Sequence, residues 1–94
     1  MTINLTNLIG TDEYGKYYYN ENGQLHRLDG PAAEYVNGKK VWYQNGQPHR
    51  LDGPAVEYKY NDSLSLKCWY INGVRYSEKE FSAWQSHFWN LWKE

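Results

Sequence analysis

The stretch NGQLHRLDGPAAEY at Asn22–Tyr35 recurs as NGQPHRLDGPAVEY at Asn45–Tyr58, and this duplication decides the fold. The two copies start 23 residues apart and differ at two of fourteen positions. A third unit is longer, since Gly73 follows Gly46 by 27 residues, and Val-Arg-Tyr-Ser then replaces the His-Arg segment. A short fixed period is the signature of stacked supersecondary units. We therefore predict two full copies flanked by partial ones.

Asn-Gly pairs mark the turns of this repeat. They begin at Asn22, Asn37, Asn45 and Asn72, between runs rich in Tyr, Trp and Val. Asn-Gly between such runs indicates a hairpin with a type I′ turn, because both central residues need positive φ. We predict antiparallel strands near 16–21, 32–36, 39–44, 55–60 and 66–71, and the His-Arg segments are candidates for shorter strands between them.

The C-terminal stretch has a different periodicity. Ser77 followed by Glu80 forms a capping box. Aromatic and leucine side chains then recur at helical spacing, at Phe81, Trp84, Phe88 and Leu91. We predict a helix over about 78–92 that packs on one face of the sheet. The predicted fold is mainly β, an antiparallel meander of tandem hairpins in a single sheet with one C-terminal amphipathic helix.

Length and composition restrict the possible functions. Ninety-four residues fit one domain, which we divide into an N-terminal segment 1–12, a β-repeat region 13–76 and a helix 77–94. The net charge of −1 does not favour duplex nucleic acid, and no segment suggests membrane insertion. A single cysteine, Cys68, fits a reducing compartment, so we expect a cytoplasmic protein.

Two His-Arg-x-Asp motifs, at 26–29 and 49–52, contain the residue types of acid–base and phosphate chemistry. Catalysis normally needs one asymmetric constellation, whereas a repeat places equivalent residues in rows. We favour a structural role, in which Arg27 and Arg50 pair with Glu34 and Glu57, over ligand binding, and ligand binding over catalysis. No catalytic residue, metal site or cofactor is predicted, because His26, His49 and His87 lack ligand spacing.

Aromatic rows are the second candidate site. The first row is Tyr19, Trp42 and Trp69. Tyr43 and Tyr70 follow one residue later, so they point to the other face. We expect one row to pack under the helix and the other to lie nearer to solvent. Cross-strand packing and a binding face both remain open for these rings. The candidate binding residues are His26, Arg27, Trp42, Tyr43, His49, Arg50, Trp69, Tyr70 and, at the end of the helix, Trp89 and Trp92.

The unit Trp-Tyr-x-Asn-Gly…Asp-Gly-Pro-Ala-x-Glu-Tyr resembles the MORN-repeat group over roughly residues 13–73. The string His-Arg-x-Asp-Gly-Pro-Ala is similar to repeats of phage and giant-virus proteins. The resemblance implies a non-catalytic scaffold or protein-binding module. The aromatic helix, which the repeat does not require, suggests a stand-alone viral effector acting in the host cytoplasm.

Three functions follow from these features. The first is a non-enzymatic protein-binding module, a small phage-encoded inhibitor or adaptor that acts on a host defence protein. The alternative is a binder of a nucleotide or single-stranded nucleic acid, through the His-Arg pairs and stacking aromatics. An enzyme that uses the His-Asp pairs is the third. Open sheet edges would also allow a homodimer.

Overall fold

The computed structural model describes residues 8–93 along the backbone and the side chains as far as His87. Seven antiparallel strands form the main sheet, in the order β1-β2-β3-β4-β7-β8-β9, and β5 pairs with β6 in a separate hairpin. In chain order the strands are β1 Ile9–Thr11, β2 Gly15–Tyr18, β3 Ala33–Tyr35, β4 Lys40–Val41, β5 Tyr43–Gln44, β6 Gln47–Pro48, β7 Val56–Lys59, β8 Ser65–Ile71 and β9 Val74–Tyr76. The helix α1 spans Glu78–Lys93 and packs against β8 and β9.

The predicted fold class is confirmed, as a β-meander with one helix packed on it. β1 is an addition, because we had assigned no strand to the N-terminal segment; it pairs with β2, with Gly10 opposite Tyr17. The capping box is also confirmed. The Ser77 N–H donates to Glu80 Oε1 at 2.8 Å, and the Glu80 N–H donates to Ser77 Oγ at 3.1 Å.

The four Asn-Gly turns are of two kinds, so the prediction of a type I′ turn at every pair was wrong. Asn45 and Asn72 have φ values of 51° and 50°, each followed by a glycine at φ 80°, as type I′ requires. At Asn22 and Asn37 only the following glycine has positive φ. These two turns are longer, and side-chain oxygens stabilise them: Asn37 Oδ1, for example, accepts the N–H of Lys39 at 3.0 Å.

The longer first turn also shifts the register of the first unit. The Tyr18 N–H donates to the Ala32 carbonyl, and the Trp42 N–H donates to the Ala55 carbonyl, at 2.8 and 2.7 Å. Tyr18 is therefore the structural equivalent of Trp42, and Tyr19, which we had aligned with Trp42, is the equivalent of Tyr43 instead. Counting a fixed number of residues back from the turn glycine gave the wrong alignment here, because the first hairpin turn contains one residue more than the second.

The core is small and consists mainly of short side chains. Its buried apolar side chains are, among the described residues, Ala32, Ala33, Val41, Ala55, Cys68 and Phe81. The free thiol of Cys68 is thus a small buried apolar group. From the helix, Phe81 enters this core and its ring lies 6.0 Å from that of the half-buried Trp84. Among the described residues, no helix combines the length and the apolar character needed to cross a membrane.

Candidate functional site

Each full repeat folds around an arginine, and the second unit shows the arrangement. Arg50 Nε donates to Asp52 Oδ1 at 2.9 Å, and its Nη1 donates to Glu57 Oε1 at 3.1 Å and to the Pro54 carbonyl at 3.0 Å. The guanidinium carbon lies 3.8 Å from the centre of the Trp42 ring. We call this set the arginine clip, because one side chain joins the loop, the sheet and the aromatic row.

The first unit repeats the arginine clip almost atom for atom. Arg27 bonds to Asp29, Glu34 and the Pro31 carbonyl at 2.9, 2.8 and 3.1 Å, and stacks at 4.0 Å on Tyr18. The hydrogen bond from Arg27 holds the pKa of Asp29 below its ordinary value. The predicted pairing of each arginine with its glutamate is confirmed, and the aspartates bind the same guanidinium groups.

The glycine of each Asp-Gly-Pro loop makes room for the clip. A Cβ added to Gly30 would lie 2.9 Å from the Arg27 guanidinium carbon, and one added to Gly53 would lie 3.1 Å from that of Arg50. Real Cβ atoms essentially never come within 3.0 Å of another group and rarely within 3.4 Å. Each guanidinium is thus held between an aromatic ring and the glycine backbone.

The two repeated histidines connect one unit to the next. His26 Nδ1 accepts the backbone N–H of Asn45 at 3.0 Å, and His49 Nδ1 accepts that of Asn72 at 2.9 Å. An Nδ1 that accepts must be unprotonated, so each imidazole is neutral with its proton on Nε2. Partial burial lowers the pKa of His49, which favours the same neutral form.

The third unit has no arginine clip. Ser77 takes the position that Arg27 and Arg50 hold, four residues after the turn glycine, and α1 begins at the next residue. The helix lies beside the Asp-Gly-Pro loop of the second unit, because Gln85 Nε2 donates to the Leu51 carbonyl at 3.1 Å. We expected one aromatic row to pack under the helix, but Trp42 of the first row is covered by Arg50 instead. The main strand contacts of the helix are with β8 and β9.

The other face of the sheet carries six tyrosines, which we call the tyrosine face. Tyr19, Tyr43 and Tyr70 occupy equivalent positions in the three units. Their neighbours lie on the same face because side chains alternate along a strand, and the Tyr17 and Tyr35 rings meet edge to face at 5.7 Å. All members are half-buried; they are Tyr17, Tyr19, Tyr35, Tyr43, Tyr58 and Tyr70.

The hydroxyl groups of the tyrosine face lie close enough to affect one another. Burial, and then the nearby Tyr35 and Tyr70, raise the pKa of Tyr43. Burial and a 3.0 Å hydrogen bond to Asp12 raise the pKa of Tyr17 to about 12. The phenols of Tyr17 and Tyr43 therefore stay protonated at neutral pH. The face offers a set of O–H donors on flat apolar rings.

The structure divides the predicted site residues between two faces. His26, Arg27, His49 and Arg50 serve the contacts within and between repeats, while Trp42 is covered by Arg50. Tyr43 and Tyr70 lie on the tyrosine face, and Trp69 is half-buried at the position equivalent to Trp42. The side chains of Trp89 and Trp92 lie outside the described residues, so their predicted role stays a prediction.

Sequence reasoning missed three members of the tyrosine face, namely Tyr17, Tyr35 and Tyr58, and it placed Tyr19 in the wrong aromatic row. A signal was present for two of them, because Tyr35 and Tyr58 end the duplicated segment at the same offset of 23 residues. Tyr17 and Tyr19 lie two residues apart in the first unit.

Comparison of the chain with models of protein families, with curated proteins and with solved structures gives no match.

Proposed function

We propose that this chain is a non-enzymatic protein-binding module, an adaptor or inhibitor, and that the tyrosine face holds its partner. The observation that carries the proposal is the concentration of six half-buried tyrosines on one face of a rigidly connected sheet. Tyrosine is enriched in the energetic centres of protein interfaces, because it combines a large apolar ring with a hydrogen-bonding tip.

The scaffold supports this role by fixing the rings before a partner arrives. Arginine clips hold the loops on the opposite side, and the histidine bonds hold successive units in register. Association costs less when fewer side chains must be ordered on binding. A row of pre-positioned tyrosines therefore favours recognition of an extended protein surface over that of one small ligand.

The alternative of a nucleotide or single-strand binder has less support. Phosphate contacts would need cationic side chains with free hydrogen-bonding capacity. Each arginine of the two motifs already bonds to two carboxylates, and each histidine Nδ1 accepts a backbone N–H. Residues of both motifs line one open groove, but each arginine in it already bonds to two carboxylates, so the enzyme hypothesis also has less support.

The finer proposal, a phage-encoded inhibitor that acts on a host defence protein in the cytoplasm, depends on the resemblance to viral MORN-like repeats. Its support is the conjunction of that resemblance with a face suited to protein binding. Growth of a phage-restricting host with and without the expressed chain would test it. Unchanged restriction across a panel of defence systems would contradict this finer proposal and leave the binding proposal in place.

Site-specific photocrosslinking tests the binding proposal. A benzophenone side chain would replace Tyr43 or Tyr70 on the tyrosine face, and Tyr14 or Val36 as exposed control positions on turns. We expect one discrete adduct in cells from the first two positions and none from the controls. An adduct of twice the chain mass would identify a homodimer. Equal labelling from all four positions would contradict the proposal, provided that melting curves show every variant to be folded.

A further inference from the structure

The loops that hold the arginine clips expose leucines at equivalent positions. Leu28 and Leu51 are 76% and 45% exposed, and 23 residues separate them. Each is followed by an aspartate whose side chain is 85% or 83% exposed, Asp29 and Asp52. Together these four residues form what we call the Leu-Asp ridge. An open groove of about 580 Å³ lies between the two loops.

The ridge is independent of the tyrosine face. Arg27 and Arg50 stack on Tyr18 and Trp42, and the neighbouring residues Tyr19 and Tyr43 point to the other side of the sheet. The two surfaces therefore lie on opposite faces. A partner bound to the tyrosines leaves the ridge free.

The charges of the ridge favour a cationic partner. Both arginines in the groove are only about a fifth exposed, and each bonds to two carboxylates. The aspartates form the outer rim, where their carboxylates are available to a second cation. An apolar side chain flanked by Lys or Arg is the complement of a leucine flanked by an exposed carboxylate.

The spacing of the loops limits the shape of that partner. The loops lie over β2 and β4, which are separated only by β3, so they repeat at about twice the inter-strand distance, roughly 10 Å. Two residues seven apart on one face of an α-helix are separated by about 10.5 Å along its axis. One helix can therefore place a cation against each aspartate and an apolar side chain between them.

We propose that the Leu-Asp ridge is a docking surface for a basic amphipathic helix of a partner protein. Its basic residues at positions i and i+7 pair with Asp29 and Asp52. Its apolar residues near i+3 and i+4 enter the groove between Leu28 and Leu51. This surface is a second site beyond the tyrosine face and does not depend on it.

Titration calorimetry with synthetic peptides tests the proposal. The probe is an 18-residue helical peptide of Leu, Ala and Gln with Arg at i and i+7. A peptide of the same composition with the arginines on opposite faces is the register control. We expect the probe to bind, to weaken as salt rises, and to exceed the control in affinity by about tenfold, as two exposed ion pairs would allow.

Two paired variants assign the contacts. Asp29→Asn with Asp52→Asn keeps an acceptor for each arginine Nε but removes the charges, and Leu28→Ser with Leu51→Ser removes the apolar contact. Each pair should reduce the affinity about tenfold or more. Leu64→Ser with Asp62→Asn is the matched control, because this exposed pair lies at the opposite end of the strands, and it should leave the affinity unchanged.

Several outcomes would overturn the proposal. They are no heat of binding at 1 mM peptide, equal binding of the register control, or equal loss in the control variant. Self-association of the chain that disappears in Leu28→Ser with Leu51→Ser would assign the ridge to a second copy instead. Peptide binding that is lost in Tyr43→Ser with Tyr70→Ser, and kept in the ridge variants, would place the helix on the tyrosine face and support that site alone.

Discussion

His26 Nδ1 accepts the backbone N–H of Asn45, which lies 19 residues later, at the turn of the following repeat. His49 makes the same bond to Asn72, and Tyr76 stands at this position in the third unit, which the helix follows. The histidine is therefore present where a following hairpin needs an acceptor. This hydrogen bond gives the repeated histidines a structural role.

The first prediction concerns how the free energy of unfolding changes as the pH falls. Because the folded pKa of His49 is below its ordinary value of about 6.5, the unfolded chain binds a proton more readily in this range. The free energy of unfolding should therefore be constant above pH 7.5, fall as pH decreases below 6.5, and level off for this group below its folded pKa. Urea denaturation at a series of pH values measures it.

The substitution His49→Asn separates titration from hydrogen bonding. The asparagine Oδ1 can accept the Asn72 N–H but does not titrate, so this part of the pH dependence should be lost while stability at pH 8 is largely kept. His49→Leu should instead cost about 1 kcal/mol at pH 8. The same substitution at the exposed His87, His87→Asn, is the control for the pH dependence. If His49→Asn retained the full acid dependence, the histidine link would not be its origin.

The second prediction concerns the shape of the cation in the arginine clip. Lysine keeps the charge of Arg50 but has no planar fork to bond Asp52 and Glu57 from different nitrogens. Arg50→Lys should therefore lower the free energy of unfolding by about 2 kcal/mol, as for lost hydrogen bonds to charged groups. Arg75→Lys, at an exposed position of β9, is the control. Equal stability of the two variants would contradict the clip.

The third prediction concerns the glycine against which the guanidinium lies. Gly30 does not have positive φ, so alanine is allowed by the backbone, but its Cβ would displace Arg27. Gly30→Ala should cost about 1–2 kcal/mol of stability. In an Arg27→Ala background the same change should cost almost nothing, because the obstacle is gone. Additive losses in this double-mutant cycle would show that the glycine serves another purpose.

The fourth prediction distinguishes the two kinds of turn. Asn45 has a φ of 51°, a conformation that costs an alanine roughly 1 kcal/mol. Asn22 does not have positive φ, and its side chain is exposed. Asn45→Ala should therefore lower the melting temperature by several degrees, while Asn22→Ala should leave it nearly unchanged. A reversed order would contradict the turn assignments.

Much of this fold could be predicted because the relevant signals are local. The Asn-Gly pairs located the hairpins, and the Ser77–Glu80 capping box located the start of the helix. The duplicated Arg and Glu indicated a pair that recurs at one offset. Each signal depends on residues within a few positions of one another, or on an exact copy of a segment.

The parts that were missed depend on register. Counting back from Gly23 paired Tyr19 with Trp42, whereas one extra residue in the first hairpin places Tyr18 there. A slip of one residue moves a side chain to the opposite face, so the tyrosine face could not be assembled from the sequence. The role of the histidines as hydrogen-bond acceptors was missed for a related reason. It depends on how closely the next hairpin lies in the folded sheet, and the repeat in the sequence does not reveal that distance.

The histidine bond and the arginine clip have a consequence for the length of such proteins. Each full unit contains its own clip, and its histidine accepts a hydrogen bond from the backbone of the next unit. A further copy of 23 residues could therefore be inserted between the first unit and the third. Such an insertion would widen the sheet by two strands, roughly 10 Å, and would add one more tyrosine row to the opposite face. Duplication of the repeat can thus enlarge the tyrosine face by a fixed area each time, without a change in the units on either side.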